Sequence, residues 1–282
     1  CLNEGCVPSK ALIAAAEARH VVADAPTRFP GIASVAGAVD MPALIGGKQD
    51  LVEALRGEKY VDVADSYGWQ VRRGNAAFAG TPDSPLLEVA AADGSVETIE
   101  AAQYLVATGS RPWAPPIQGL EEAGYLTSTT ATELTEVPDS LLVLGGGYVA
   151  LEQAQLFARL GSTVTLLVRS RLASKEESEV SKALQEVFAD EGIRVVRRAV
   201  PTRVTRDAAT GQVVVTADVS GGAQEFRADE VLVALGRRPV TDGLNLDAVE
   251  VKTGEVGEIV VTDQLQSSNP RIWAAGDVTG HP

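Results

Sequence analysis

The apolar run Leu141-Leu142-Val143-Leu144 passes directly into Gly145-Gly146-Gly147, and no other feature of the chain narrows its fold so sharply. Four apolar residues in succession suit a strand buried on both faces, and three glycines suit a turn too tight for side chains. Apolar spacing then predicts a helix over 148–160 stopped by Gly161, a strand over 163–168, a helix over 176–191 stopped by Gly192, and a strand over 193–197. Strand, helix, strand, helix, strand requires crossovers between parallel strands, so the class is α/β with a doubly wound sheet. A further strand is predicted over 230–235.

The turn reads Gly145-x-Gly147-x-x-Ala150, in the strand-to-helix context that gives such a motif its meaning. Gly145 permits the tight turn, Gly147 lets backbone approach a pyrophosphate, and Ala150 allows close helix–strand packing. The helix amino end adds a positive dipole toward phosphates. An NAD site places Asp or Glu at the end of the second strand, against the ribose 2′-hydroxyl. Here that end reads Val168-Arg169-Ser170-Arg171, with no acid. Two guanidiniums suit a 2′-phosphate, which points to NADPH; the alternative is that Arg169 and Arg171 are solvated surface charges.

The two cysteines both fall in Cys1-Leu2-Asn3-Glu4-Gly5-Cys6-Val7-Pro8-Ser9-Lys10. This is no disulfide framework of a secreted scaffold; a lone close pair points to redox or metal chemistry in a cytoplasmic setting. On an ideal helix, residues five apart point about 140° away from each other, so joining them needs a distorted turn. Gly5 and Pro8 supply the means for one. A helix is predicted over 9–25, which puts Cys6 at a helix amino end, a position that favours thiolate. Lys10 follows four residues on, on the same face. The plainer alternative is two small buried apolar side chains.

Elsewhere the pattern predicts a connector over 27–39, a helix over 42–66 and β segments over 69–78, 86–91 and 96–101, the last two joined at Asp93-Gly94. Short strands follow over 104–107 and 271–275, with turns at 108–112 and 236–239 and a hairpin over 213–227. Acidic residues number 38 against 24 Lys and Arg, a formal charge of -14. Such a surface argues against nucleic acid or anionic lipid as partner. No apolar run reaches the roughly 18 residues of a membrane span. The start at Cys1 and the abrupt Gly280-His281-Pro282 lead us to expect a piece of a longer protein.

The stretch Cys1–Lys10 closely resembles the redox-active disulfide motif of the pyridine nucleotide-disulfide oxidoreductases. The likeness extends along the chain through Ala107-Thr108-Gly109, the glycine turn, Ala234-Leu235-Gly236-Arg237-Arg238-Pro239 and Ala274-Ala275-Gly276-Asp277. It implies two Rossmann-like, three-layer nucleotide-binding domains: an FAD domain over 1–136 that resumes over 251–282, interrupted by an NADPH domain over 137–250. A first FAD-binding βαβ unit and a C-terminal dimerisation domain would lie outside the chain, which alone is not expected to turn over. The complete protein would be a homodimer.

The resemblance also implies roles. Cys6 would be the thiolate beside the flavin and Cys1 the thiol exchanging with substrate. Lys10 would sit near the flavin and pair with Glu152. Tyr148 would gate the nicotinamide pocket. Tyr148 and Glu152, four apart, share a helix side. Core packing for Tyr148 and a solvated charge for Glu152 are the alternatives. Asp277 would accept from the flavin ribityl chain, with Gly276 allowing close approach, and Thr108, Gly109 and Gly236 would line the cofactors. Ala76 would meet the adenine through its backbone, or be an ordinary strand residue. The helix 150–161 and Cys6-Val7-Pro8-Ser9-Lys10 look most like members that reduce mercuric ion, with Cys1 and Cys6 holding Hg(II). Leu2 and Glu4 depart from that pattern, and a reductase of small disulfides is the alternative.

Overall fold

A computed structural model describes residues 2–280. In chain order, helix α1 spans Cys6–Arg28 and α2 Met41–Arg56, followed by one π-helical turn, Gly57–Val61, and the short α3, Asp62–Ser66. Strands β1 (Asn75–Gly80), β2 (Pro85–Ala90), β3 (Val96–Glu100), β4 (Tyr104–Val106) and β5 (Ser110–Pro112) come next, then α4 (Leu120–Ala123). The central run is β6 (Ser140–Leu144), α5 (Tyr148–Leu160), β7 (Thr163–Val168), α6 (Ser178–Asp190) and β8 (Arg194–Arg197). Strands β9 (Ala199–Arg206), β10 (Val213–Val219), β11 (Gly222–Ala228), β12 (Glu230–Val233), β13 (Arg237–Pro239) and β14 (Ile272–Ala274) complete the chain.

By contact the chain divides into two compact units. One runs to Val63 and resumes over Trp113–Leu235; the other comprises Ala64–Pro112 and the chain from Gly236 onward. These limits differ from boundaries at 136 and 250. Leu12, Ala16, Met41 and Ile45 of α1 and α2 pack into one cluster with Leu141, Ala154 and Phe157, while Leu244, Leu246 and Val249 pack with Phe78, Tyr104 and Ile272 in the second unit.

In the first unit, β12, β6, β7 and β8 form a parallel sheet in that order. Strand β6 is first in the run yet lies inside, so the chain reverses direction across the sheet between β6 and β12. Alternation along β6 separates the two faces. Leu141 and Val143 join the cluster with α1, α2, α5 and α6, while Leu142 and Leu144 join one with the antiparallel sheet β11-β10-β9. The three layers are therefore helices, parallel sheet and antiparallel sheet. The expected hairpin over 213–227 is part of this outer sheet. Strand β9 was not legible: it contains Pro201, and a register shift falls opposite at Thr216/Ala217.

In the second unit, β1-β2-β3 is an antiparallel meander, β14 lies parallel to β4, and β13 lies antiparallel to β5. The last pair replaces the turns expected at 108–112 and 236–239. A core of Phe78, Tyr104, Val249, Ile259, Ile272 and Val278 lies beneath.

Three helix expectations change. Helix α1 begins at Cys6 rather than residue 9, because Ser9 N reaches Gly5 O at 3.0 Å. The helix over 42–66 is capped at its start by Asp40, whose Oδ1 accepts from Ala43 N at 3.0 Å, and breaks at Gly57. The helix expected from Glu176 starts at Ser178, leaving Glu176 in the loop. The β segment expected over 69–78 begins only at Asn75. Among the described residues, no helix is long and apolar enough to cross a membrane.

Candidate functional site

The glycine turn lies at the carboxyl end of β6, beside the point where strand order reverses, which is where open α/β sheets form their ligand crevices. Gly145 N donates to Leu167 O at 3.1 Å, and Ala234 N donates to Leu144 O at 2.9 Å, so β7 and β12 brace the turn. Gly145 has φ 134, and a Cβ there would be driven into the Ala234 carbonyl, 3.1 Å from its carbon. Gly147 differs: its φ is −84, and a Cβ would meet nothing within 4 Å. It caps α5, and no side chain caps the first turn, which leaves backbone N–H groups open at a helix amino end. Ala150 is fully buried. Open space at Gly147 beside uncapped N–H groups is a cradle that fits a pyrophosphate.

Arg169, at the end of β7, is exposed and makes no hydrogen bond or ion pair among the described residues. Arg171 is committed to its own loop: its Nη2 donates to Glu176 O at 2.6 Å and to Ser174 O at 3.2 Å. Tyr148, the first residue of α5, is 59% exposed, so core packing does not hold it. Its hydroxyl donates to Glu176 Oε1. That hydrogen bond first, then burial and the carboxylate charge, raise the Tyr148 phenol above its ordinary range. Glu176 was not singled out from the sequence, where it falls inside a predicted helix.

Cys6 is exposed at the amino end of α1, after Gly5. Cys1 lies outside the described residues. One turn beyond Cys6, Lys10 forms an ion pair with Glu152 of α5, four residues after Tyr148. The structure thus brings the lysine next to the cysteine and the acid of the glycine-turn helix together. Both partners are well exposed, so the pair contributes about 1 kcal/mol or less to stability. Further along, Arg159 of α5 pairs with Glu17 of α1 and donates to Glu191 at 2.8 and 2.6 Å. Burial alone would raise the Glu191 carboxyl, but these hydrogen bonds and the guanidinium charge outweigh it and hold the group low. The packing of α1 on α5 therefore rests on buried apolar contacts and this network.

In the second unit, the parallel strands β4 and β14 deliver two turns to one edge. Thr108 Oγ1 donates to Val240 O at 2.6 Å, and Val240 N donates to Gly109 O at 2.9 Å. Ser110 Oγ donates to Asp277 Oδ2 at 2.6 Å and accepts from Arg237 Nε at 2.8 Å. Thr108, Gly109, Gly276, Asp277 and the segment opened by Gly236 are thereby joined. A Cβ at Gly276 would meet nothing within 4 Å, and the Asp277 carboxylate is exposed. An acceptor-only side chain beside open space fits a polyhydroxyl chain such as the ribityl of a flavin. Ser110 and Arg237 were not foreseen as members; Ser110 follows directly on the Thr-Gly step, which could have flagged it. Ala76 sits on β1 opposite Val89, on a different sheet.

A glycine turn at the reversal point of a parallel sheet, with this layer order, defines a Rossmann-like α/β protein. The chain belongs to the pyridine nucleotide-disulphide oxidoreductase family, whose model matches residues 1–282. It is 58% identical over 282 residues to a mercuric reductase of Streptomyces lividans and 42% identical over 283 residues to one of Lysinibacillus sphaericus. All of this chain aligns, covering 58% and 50% of those proteins, so the chain spans about half their length. Among solved structures it resembles LpdA from Mycobacterium tuberculosis, with TM-score 0.86 and 28% identity over 60% of that chain. It also resembles the HOCl-induced flavoprotein disulfide reductase RclA from Escherichia coli, with TM-score 0.83 and 28% identity over 58% of that chain. Both alignments include the whole of the present chain.

Proposed function

We propose that this chain is the cofactor-facing part of an NADPH- and FAD-dependent enzyme that reduces mercuric ion to elemental mercury. The carrying observation is the Lys10–Glu152 ion pair, which ties the cysteine-bearing helix to the glycine-turn helix. The 58% identity to a mercuric reductase supports the choice of substrate.

The pyrophosphate of NADPH would lie on the Gly145–Ala150 turn, with the 2′-phosphate toward exposed Arg169. Asp277, with Thr108, Gly109 and Gly276, would hold FAD. When bound, these cofactors would supply two-electron transfer from the dinucleotide, first to a Cys1–Cys6 disulfide, giving two thiols, and in a further round to the Hg(II) those thiols hold. The protein's residues prepare the thiols and the substrate. Cys6 stands at the amino end of α1 with Lys10 one turn away. Glu152 holds the ammonium in place. Cys1 and Cys6 as soft thiolates would bind Hg(II), a soft cation, in preference to harder metals. The FAD parts are assigned to 1–136 and 251–282 and the NADPH part to 137–250. We assign the complete protein to the cytoplasm as a homodimer, with no nucleic acid or membrane partner.

The test is NADPH oxidation by the complete protein with Hg(II) or with a small disulfide. Oxidation driven by Hg(II) supports the proposal; oxidation driven only by the disulfide replaces it with a disulfide reductase, the activity named for RclA. A specificity constant for NADH equal to or above that for NADPH removes the dinucleotide assignment.

A further inference from the structure

The loop after β7 is fastened over the glycine turn by a ring of hydrogen bonds. Ala173 N donates to Gly146 O at 2.7 Å, and Glu176 N donates to Ala173 O at 2.9 Å. The ring closes where the Tyr148 hydroxyl, two residues past Gly146, donates to Glu176 Oε1. Arg171 clamps the loop from within through the carbonyls of Ser174 and Glu176. The strand end is equally close: a Cβ on Gly146 would lie 2.6 Å from Val168 Cγ1. Ala173 is buried with φ 44, a left-handed conformation that costs an L-residue free energy and persists only where the surroundings enforce it. These bonds fix the backbone of the loop that carries Glu176, and the Glu176 side chain is half-buried. Tyr148 is mostly exposed, so its hydroxyl bond to Glu176 is the polar contact that holds the ring in place.

We infer that Glu176 is a positioning residue that latches Tyr148 beside the glycine turn, and that a dinucleotide entering with its nicotinamide must break this hydrogen bond. The inference rests on the reading of the turn as a dinucleotide site and of Tyr148 as the residue at its nicotinamide end. Breaking the latch subtracts from the binding free energy of a complete dinucleotide. It leaves untouched a ligand that lacks the nicotinamide.

The experiment is calorimetric titration of the complete, FAD-loaded protein with NADP+ and with adenosine 2′,5′-bisphosphate, which has no nicotinamide. The proteins are wild type, Tyr148→Phe, Glu176→Ala and the double variant. Tyr148→Phe keeps the ring and removes only the hydroxyl. It should tighten NADP+ by about two- to tenfold, the fold-change that corresponds to the net contribution of one ordinary hydrogen bond. It should leave the bisphosphate unchanged. Adding Glu176→Ala to Tyr148→Phe should give no further gain specific to NADP+, because both substitutions remove one bond. Wild-type affinity for NADP+ in Tyr148→Phe overturns the latch. So do equal gains for both ligands, or additive gains in the double variant. Failure of the wild type to bind either ligand refutes the dinucleotide site, and the latch with it. Binding of both with no effect of Tyr148→Phe refutes the latch alone.

Discussion

Substituting alanine at Gly145 and at Gly147 separates what the turn does for folding from what it does for binding. Gly145 has φ 134, and its new Cβ would press on the Ala234 carbonyl group. That carbonyl cannot retreat easily, because Ala234 N is hydrogen-bonded to Leu144 O at 2.9 Å and joins β12 to β6. Holding alanine in such a backbone conformation costs about 1–3 kcal/mol. Overpacking against fixed atoms adds about 1–3 kcal/mol. The sum, about 2–6 kcal/mol, is a large part of a typical domain's stability of about 5–15 kcal/mol. Gly147 has φ −84, which alanine adopts freely, and open space around its Cβ position. The cost there is about 1 kcal/mol or less, because alanine is a poorer helix cap than glycine. Yet its methyl group would occupy the approach of the pyrophosphate, so NADP+ affinity should fall by about tenfold or more, or 1.4 kcal/mol. Urea unfolding followed by circular dichroism reads the first effect, and calorimetric titration with NADP+ the second. A Gly147→Ala protein that binds NADP+ as tightly as wild type refutes the cradle. A Gly145→Ala protein of wild-type stability refutes the steric argument.

Gln153 of α5 is buried, and its Oε1 has no hydrogen-bond partner among the described residues. Gln153→Met keeps the shape without the buried carbonyl and should raise stability by about 1 kcal/mol in urea unfolding. Asp229 accepts from Ser140 N at 2.9 Å and from Ser140 Oγ at 2.7 Å, and these bonds, the side-chain one first, hold its carboxyl below the ordinary range. Because the folded value is depressed, its contribution is complete above the unfolded value of about 3.9 and is lost as pH falls through the folded one. The stability gap between wild type and Asp229→Ala should therefore be constant near neutral pH, at about 1 kcal/mol, and close in acid. A gap independent of pH down to acid unfolding would refute this. In the complete protein, Cys6→Ala should abolish any long-wavelength absorbance from a thiolate against the flavin; its survival would move the donor to another residue.

The central βαβαβ run was legible because both of its signals are local. Unbroken apolar strands need no knowledge of their neighbours, and the glycines that end α5 and follow α6 mark those ends on their own. The glycine turn was legible for the same reason: Gly145, Gly147 and Ala150 act through backbone shape within six residues. The identity of the third layer was not. Strand β9 carries Pro201, Arg203 and Arg206, and only its pairing with β10 makes it a strand. Glu176 was hidden because the run Glu176-Glu177-Ser178-Glu179 has good helix formers, whereas the fold uses Glu177 as the cap. Long-range side-chain pairs are the least legible of all. The Ser110–Asp277 bond spans 167 residues, and neither composition nor period could have announced it. The Lys10–Glu152 pair came instead from a family likeness, and the structure places those two side chains in contact.

The central claim is that reducing equivalents from NADPH reach the cysteines at the start of α1. Titrating accessible thiols in the FAD-loaded complete protein, before and after anaerobic addition of NADPH, tests it most directly. The account predicts two new thiols per chain, located by mass spectrometry at Cys1 and Cys6. An unchanged count, or new thiols elsewhere, contradicts it.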